Sequence, residues 1–97
     1  MHIIKRKTLI DFYEKHPSSK GALEAWFMEV KRAEWADTSD VKSLYRSADF
    51  IKGNRVVFNI CGNNYRLIVK VNYQTKTVFI RFIGTHAEYS KIDAEKV

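Results

Sequence analysis

The sequence predicts an α+β fold: two N-terminal helices packed on an antiparallel β-sheet meander, with a short C-terminal helical segment. Three observations predict it. Apolar residues recur at helical spacing in the first half and alternate in the second, the change falling near residues 46–54. The single proline, Pro17, divides the helical half. The alternating half is cut by the stretches CGNN and QTK into three runs rich in β-branched and aromatic residues.

Taken in order, residues 2–4 read as a short strand. Thr8 followed by Asp11 resembles a capping pair, and Leu9, Phe12 and Tyr13 form the apolar stripe of a first helix that Pro17 stops. Ser18 or Ser19 can cap a second helix. In it Leu23, Trp26, Phe27 and Val30 repeat at helical spacing while Lys20, Glu24, Lys31 and Arg32 mostly face away. The stretch ADTSDVKSLYRSADFIKGN is polar and aperiodic. It reads as a long connection with one short helical turn at residues 41–45, ending in the turn signal Gly53-Asn54. Strands are expected at residues 55–60, 65–73 and 77–83.

Register follows from the turns, because a slip of one residue moves every side chain of a strand to the opposite face. A first hairpin turning on Gly62-Asn63 sets Phe58 opposite Leu67 and Val56 opposite Val69. A second turning on Gln74-Thr75 sets Val71 opposite Val78, Val69 opposite Ile80 and Leu67 opposite Phe82. One face is then continuously apolar and receives the helices. The other carries Arg55 beside Lys70, Asn59 beside Arg66, and Arg81 beside Ile68, with Phe79 and Ile83 on the same side.

Composition narrows the function classes. Ninety-seven residues, 45% of them hydrophobic, suit one domain spanning 1–97 with a modest core. Seventeen Lys and Arg against eleven Asp and Glu give a net charge of +6, the balance of a chain that meets phosphates or an acidic protein. No apolar run approaches the roughly 20 residues of a membrane span, and MHIIKRK lacks the apolar core of a secretory signal, so a cytoplasmic protein is expected. The lone Cys61 has no partner for an internal disulfide. Neither a Cys-x-x-Cys nor a His-Glu-x-x-His motif is present, so no metal or other cofactor is expected.

Like charges opposite one another on a sheet are destabilising, so Arg55 facing Lys70 near Arg66 and Arg81 is a local cost that an anionic partner would relieve. Arginine offers donors matched to phosphate oxygens and lysine adds a point charge. Basic residues on the wet face of an antiparallel sheet serve solubility equally well. His86 follows the last strand, where a side chain leaves the core, and histidine exchanges protons near neutral pH. RNA cleavage needs a proton removed from the 2′-hydroxyl, charge stabilised at phosphorus, and a proton given to the leaving 5′-oxygen. His86, the arginines and Tyr89 can divide that work. On the other reading, Thr85 and His86 cap a terminal helix and Tyr89 packs on the sheet. His2 and His16 are read as structural.

Two N-terminal helices ahead of VVFNICGNNYRLIVKVNY and VFIRFIGTHAEYSKID resemble the HigB-type toxins of the RelE/ParE superfamily, over nearly the whole chain. The most specific part is the order GN-x-YRL, a strand with an internal arginine, then GTH-x-EY. The resemblance implies a metal-independent endoribonuclease that cuts mRNA on the ribosome and inhibits translation. It also implies silencing by a HigA-type antitoxin, a helix-turn-helix protein whose complex with the toxin binds operator DNA. Carried over by position, Arg66 and Arg81 would bind phosphate and stabilise the transition state, and His86 would be general acid or base. Tyr89 would orient substrate or assist proton transfer, Lys70 would add charge, and Asn59 or Arg55 would be peripheral RNA contacts. A ParE-like toxin that blocks DNA gyrase without cutting, and a plain RNA- or ribosome-binding module, are alternatives that the fold alone does not separate.

Overall fold

The computed structural model describes residues 1–97, in which a five-stranded sheet carries helices on one face. In chain order the elements are β1 (His2–Ile4), α1 (Arg6–Lys15), a 3-10 turn (Pro17–Ser19), α2 (Lys20–Arg32), α3 (Thr38–Leu44), β2 (Asp49–Ile51), β3 (Arg55–Ile60), β4 (Tyr65–Asn72), β5 (Thr77–Thr85) and α4 (His86–Tyr89). The strand order is β1-β5-β4-β3-β2, with β1 parallel to β5 and every other pair antiparallel. The meander thus gains two short edge strands. No helix is long and apolar enough to cross a membrane.

The helical half differs from expectation at its starts. α1 begins at Arg6 because Lys5, with a left-handed φ of 72°, turns the chain sharply out of β1. The Thr8 amide already bonds the Lys5 carbonyl at 3.0 Å, so Thr8 is not a cap. At α2 no serine side chain caps the helix. The Ser19 hydroxyl donates back to the His16 carbonyl at 2.7 Å, inside the 3-10 turn that Pro17 opens. Leu23, Trp26 and Val30 of α2 and Leu9 of α1 are buried, joined by Val56, Phe58, Leu67, Val69, Val71, Val78 and Ile80 from the sheet. Phe58 centres the aromatic part of this core, with its ring centroid 5.5 Å from Trp26, 6.4 Å from Trp35 and 5.0 Å from Tyr45.

The expected long connection after Trp35 is instead structured. Asp37 caps α3, its carboxylate accepting the Asp40 amide at 3.2 Å, and Val41 drops into the core. β2 then pairs with β3 across a turn in which Gly53 and Asn54 are both left-handed, a conformation glycine and asparagine tolerate.

Pairing of β3 with β4 follows the expected register throughout, Val56 with Val69 and Phe58 with Leu67. Between β4 and β5 the pairs Val71–Val78 and Val69–Ile80 also hold, but a bulge intervenes at Ile68/Val69, after which Leu67 pairs with Ile83 and Ile68 with Phe82. Arg81 is the extra residue. Two residues of β5, Arg81 and Phe82, oppose the single Ile68, and from there on the alternation is inverted. Ile83 consequently packs with the helix-side core instead of sharing a face with Phe79.

Val57 and Ile68 are buried yet stand outside that core, on the opposite face. The C-terminal segment, with Ile92, Ala94 and Val97 half-buried, is tied to this sheet by Arg55, whose Nε donates to the Val97 main-chain oxygen at 2.9 Å.

Candidate active site

Arg66 leaves β4 opposite Asn59 of β3 and Gly84 of β5. Its Cζ lies 4.9 Å from the centroid of the Tyr89 ring, a cation–π contact, and its Nη1 lies 4.0 Å from Oδ2 of Asp49. The arginine side chain is only 20% exposed, the aspartate 63%. The Nε of Arg66 and the Oδ1 of Asn59 are buried with no hydrogen-bond partner, a cost that an incoming polar group would lift. The guanidinium thereby lies between an aromatic face and a carboxylate.

Tyr89 is itself supported from β5. A Cβ at Gly84 would stand 2.5 Å from Cζ of Phe82 and 3.2 Å from Cβ of Glu88, so the bare strand at Gly84 is where the Phe82 ring lies. Phe82 and Tyr89 have ring centroids 6.5 Å apart. The bulge turns Phe82 to this face, so an irregularity in β5 feeds directly into the position of Arg66.

α4 starts without a connecting loop. The Thr85 hydroxyl accepts the Glu88 amide at 3.2 Å while Oε1 of Glu88 accepts the Thr85 amide at 2.8 Å, a reciprocal capping box. The Thr85 amide hydrogen bond is the main reason the Glu88 carboxyl is held below its ordinary range. The His86 amide bonds the Asn64 carbonyl at 3.3 Å, tying the helix start to the β3–β4 turn. His86 and Tyr89, three residues apart on one helical face, have ring centroids 6.4 Å apart, and His86 is exposed.

Histidine, tyrosine and arginine therefore form a line along one end of the sheet, His86 to Tyr89 to Arg66, with Asn59 beside it. The other candidates stand apart. Lys70 is four residues along β4 from Arg66, about 13 Å at strand rise, and pairs with Arg55 and Phe79. Arg55 has its donors engaged by the Val97 oxygen and by the Lys52 carbonyl at 3.2 Å, which ties it to the C-terminal segment. Arg81 is exposed in the bulge. Asp49 was missed in the sequence, although the turn signal Gly53-Asn54 with apolar residues on both sides is the mark of a hairpin that would have placed a strand there. His16 lies on the helix side, stacked on Phe12 with centroids 4.4 Å apart. No group of three His, Cys, Asp or Glu side chains is gathered closely enough to hold a metal ion.

Residues 19–92 match the family model described as HigB_toxin, the RelE-like toxic component of a toxin-antitoxin system. The chain belongs to the HigB toxin family. The match takes in α2, α3, the β2–β5 sheet and α4, the elements that assemble Arg66, Tyr89 and His86. This HigB family member is 28% identical over 94 residues to the mRNA interferase HigB of Escherichia coli O6:H1 strain CFT073, covering 95% of this chain and 91% of that protein. It is 32% identical over 91 residues to the mRNA interferase toxin HigB of Escherichia coli strain K12, covering 92% and 88%. The mRNA interferase HigB of Shigella flexneri matches with the same figures.

Proposed function

We propose that this toxin is a metal-independent mRNA endoribonuclease that acts on message held by the ribosome and is neutralised by a HigA-type antitoxin with a helix-turn-helix domain. The observation that carries the reading is the Arg66 guanidinium fixed against Tyr89, with the exposed imidazole of His86 one helical turn away. The related proteins named mRNA interferases support it.

In this reading the 2′-oxygen attacks the adjacent phosphorus and the P–O5′ bond breaks, leaving a 2′,3′-cyclic phosphate and a 5′-hydroxyl. Arg66 neutralises the charge that builds on the non-bridging oxygens, a role worth on the order of 10²–10³ in rate for one fixed donor. His86 takes the proton of the 2′-hydroxyl or gives one to the leaving 5′-oxygen, contributing on the order of 10²–10⁴, and solvent water exchanges the other. Tyr89 orients the guanidinium through its ring and lends its hydroxyl to the substrate. Asn59 adds a polar contact. Arg81 and Lys70 extend the positive surface along the sheet, and Arg55 secures its far end. The complex with the antitoxin binds operator DNA.

Purified protein added to a translating extract, with primer extension on the message, tests this. Defined breaks that appear only during translation, and vanish when the antitoxin is added, are expected. Intact message with inhibited gyrase supercoiling would instead favour a ParE-like activity.

A further inference from the structure

A second feature lies on the other side of β2 from Asp49. Along this three-residue edge strand Asp49 pairs with Val57 and points to the face of Arg66, while Phe50 pairs with Val56 and points to the helix face. There Phe50 closes an open groove of about 840 Å³ lined by Thr38, Ser39, Lys42, Ser43 and Arg46 of α3 and the turn after it. Phe50 is 37% exposed, and Leu44 nearby in sequence is 45% exposed.

The groove's chemistry is specific. Arg46 is exposed and forms neither an ion pair nor a side-chain hydrogen bond, so all its donors are free. Lys42 gives one N–H to the Ala48 carbonyl at 2.9 Å and keeps two. The hydroxyl hydrogens of Ser39 and Ser43 are spent on the Asp37 carboxylate and the Ser39 carbonyl, which leaves their oxygens as acceptors. Nearby Asp37 and Asp40 have their carboxylates turned to Ser39, the Asp40 amide and the Ala36 amide. Free cations suit phosphates, hydroxyl acceptors suit base amino groups or a ribose hydroxyl, and an exposed phenyl ring suits stacking. That combination is the one single-stranded nucleic acid requires.

Building on the nuclease reading above, we propose that this groove is a second RNA subsite. It takes single-stranded nucleotides that flank the scissile phosphate, the strand passing around the free edge of β2 from Arg66 to Phe50 and Arg46. Nothing pairs beyond β2 in the sheet, so the path is open.

The test is fluorescence anisotropy with uncleavable 2′-O-methyl RNA, a trinucleotide and a dodecamer, on the wild type, Arg46→Ala and Phe50→Ala. The trinucleotide should bind all three alike. For the dodecamer, Phe50→Ala should lose about tenfold or more in affinity, as loss of a base stack does. Arg46→Ala should make the salt dependence shallower by about 0.7 in the log–log slope, as loss of one phosphate contact does. Arg46 is exposed, so its variant reads the groove even if Phe50→Ala disturbs β2. Dodecamer affinities and salt slopes identical in all three proteins would overturn the proposal. So would an acidic peptide that binds the wild type and not Arg46→Ala while RNA binding is unchanged. Breaks in message measured in parallel report on the nuclease reading separately, since the anisotropy arm needs no cleavage.

Discussion

Arg66 and Tyr89, on different elements and 23 positions apart in the chain, meet with the guanidinium carbon 4.9 Å from the ring centroid. Replacing Arg66 by Ala should lower the cleavage rate on the order of 10²–10³-fold. Arg66→Lys should rescue little, because an ammonium does not stack flat on Tyr89 and lacks the planar set of donors that matches phosphate oxygens. Primer-extension rates in the translating extract measure both.

His86 is exposed at the first position of α4 and contributes nothing to the core, so His86→Ala should leave the melting temperature close to wild type. Message cleavage and growth inhibition should fall on the order of 10²–10⁴-fold. A folded His86→Ala protein that remains fully toxic would remove the imidazole from the reaction.

The capping box makes α4 sensitive to acid. The Glu88 carboxyl is held below its ordinary 4.5, chiefly by accepting the Thr85 amide, so the folded form prefers the carboxylate. Its contribution is fully present above about pH 4.5 and is lost as pH falls through the depressed folded value. The amide resonance of Thr85, followed by NMR, should titrate with a midpoint under 4.5, and Glu88→Gln should abolish that titration.

Gly84→Ala should act on the site through packing. The added carbon would stand 2.5 Å from the Phe82 ring, which must then move, and Tyr89 rests near that ring. A destabilisation of about 1–3 kcal/mol is expected by urea unfolding, together with a loss of cleavage larger than the folded fraction explains.

Arg55 and Lys70 should separate stability from chemistry. Arg55→Ala removes the bond to the Val97 oxygen that ties the C-terminal segment to β3, so it should lower the urea midpoint with cleavage per folded molecule unchanged. Lys70→Ala should weaken RNA binding only modestly and chiefly at low salt.

The β3–β4 register was legible because two independent cues agree there, the Gly62-Asn63 turn and the strict alternation of Val56, Phe58, Leu67 and Val69. The bulge was not. In Phe79-Ile80-Arg81-Phe82-Ile83 apolar residues occupy both phases, so alternation cannot show which residue is extra. β2 escaped notice because it is three residues long and mostly exposed. His86 and Tyr89 were legible as a local pair, since helical spacing alone brings them together. Asp49 reaches Arg66 only across β3, and such a meeting depends on pairing partners that a linear pattern does not encode.

The bulge has a consequence for how β5 tolerates changes of length. Pairing this stretch without the bulge while keeping all its residues would swing the ring beneath Tyr89 into the interior and push Ile83 out to solvent, whereas deleting Arg81 would leave Phe82 opposite Ile68 and Ile83 opposite Leu67 as they are now. Residue 81 is therefore the one place in this stretch that can be lost without turning a neighbour over, and what the bulge adds to the molecule is that exposed arginine itself.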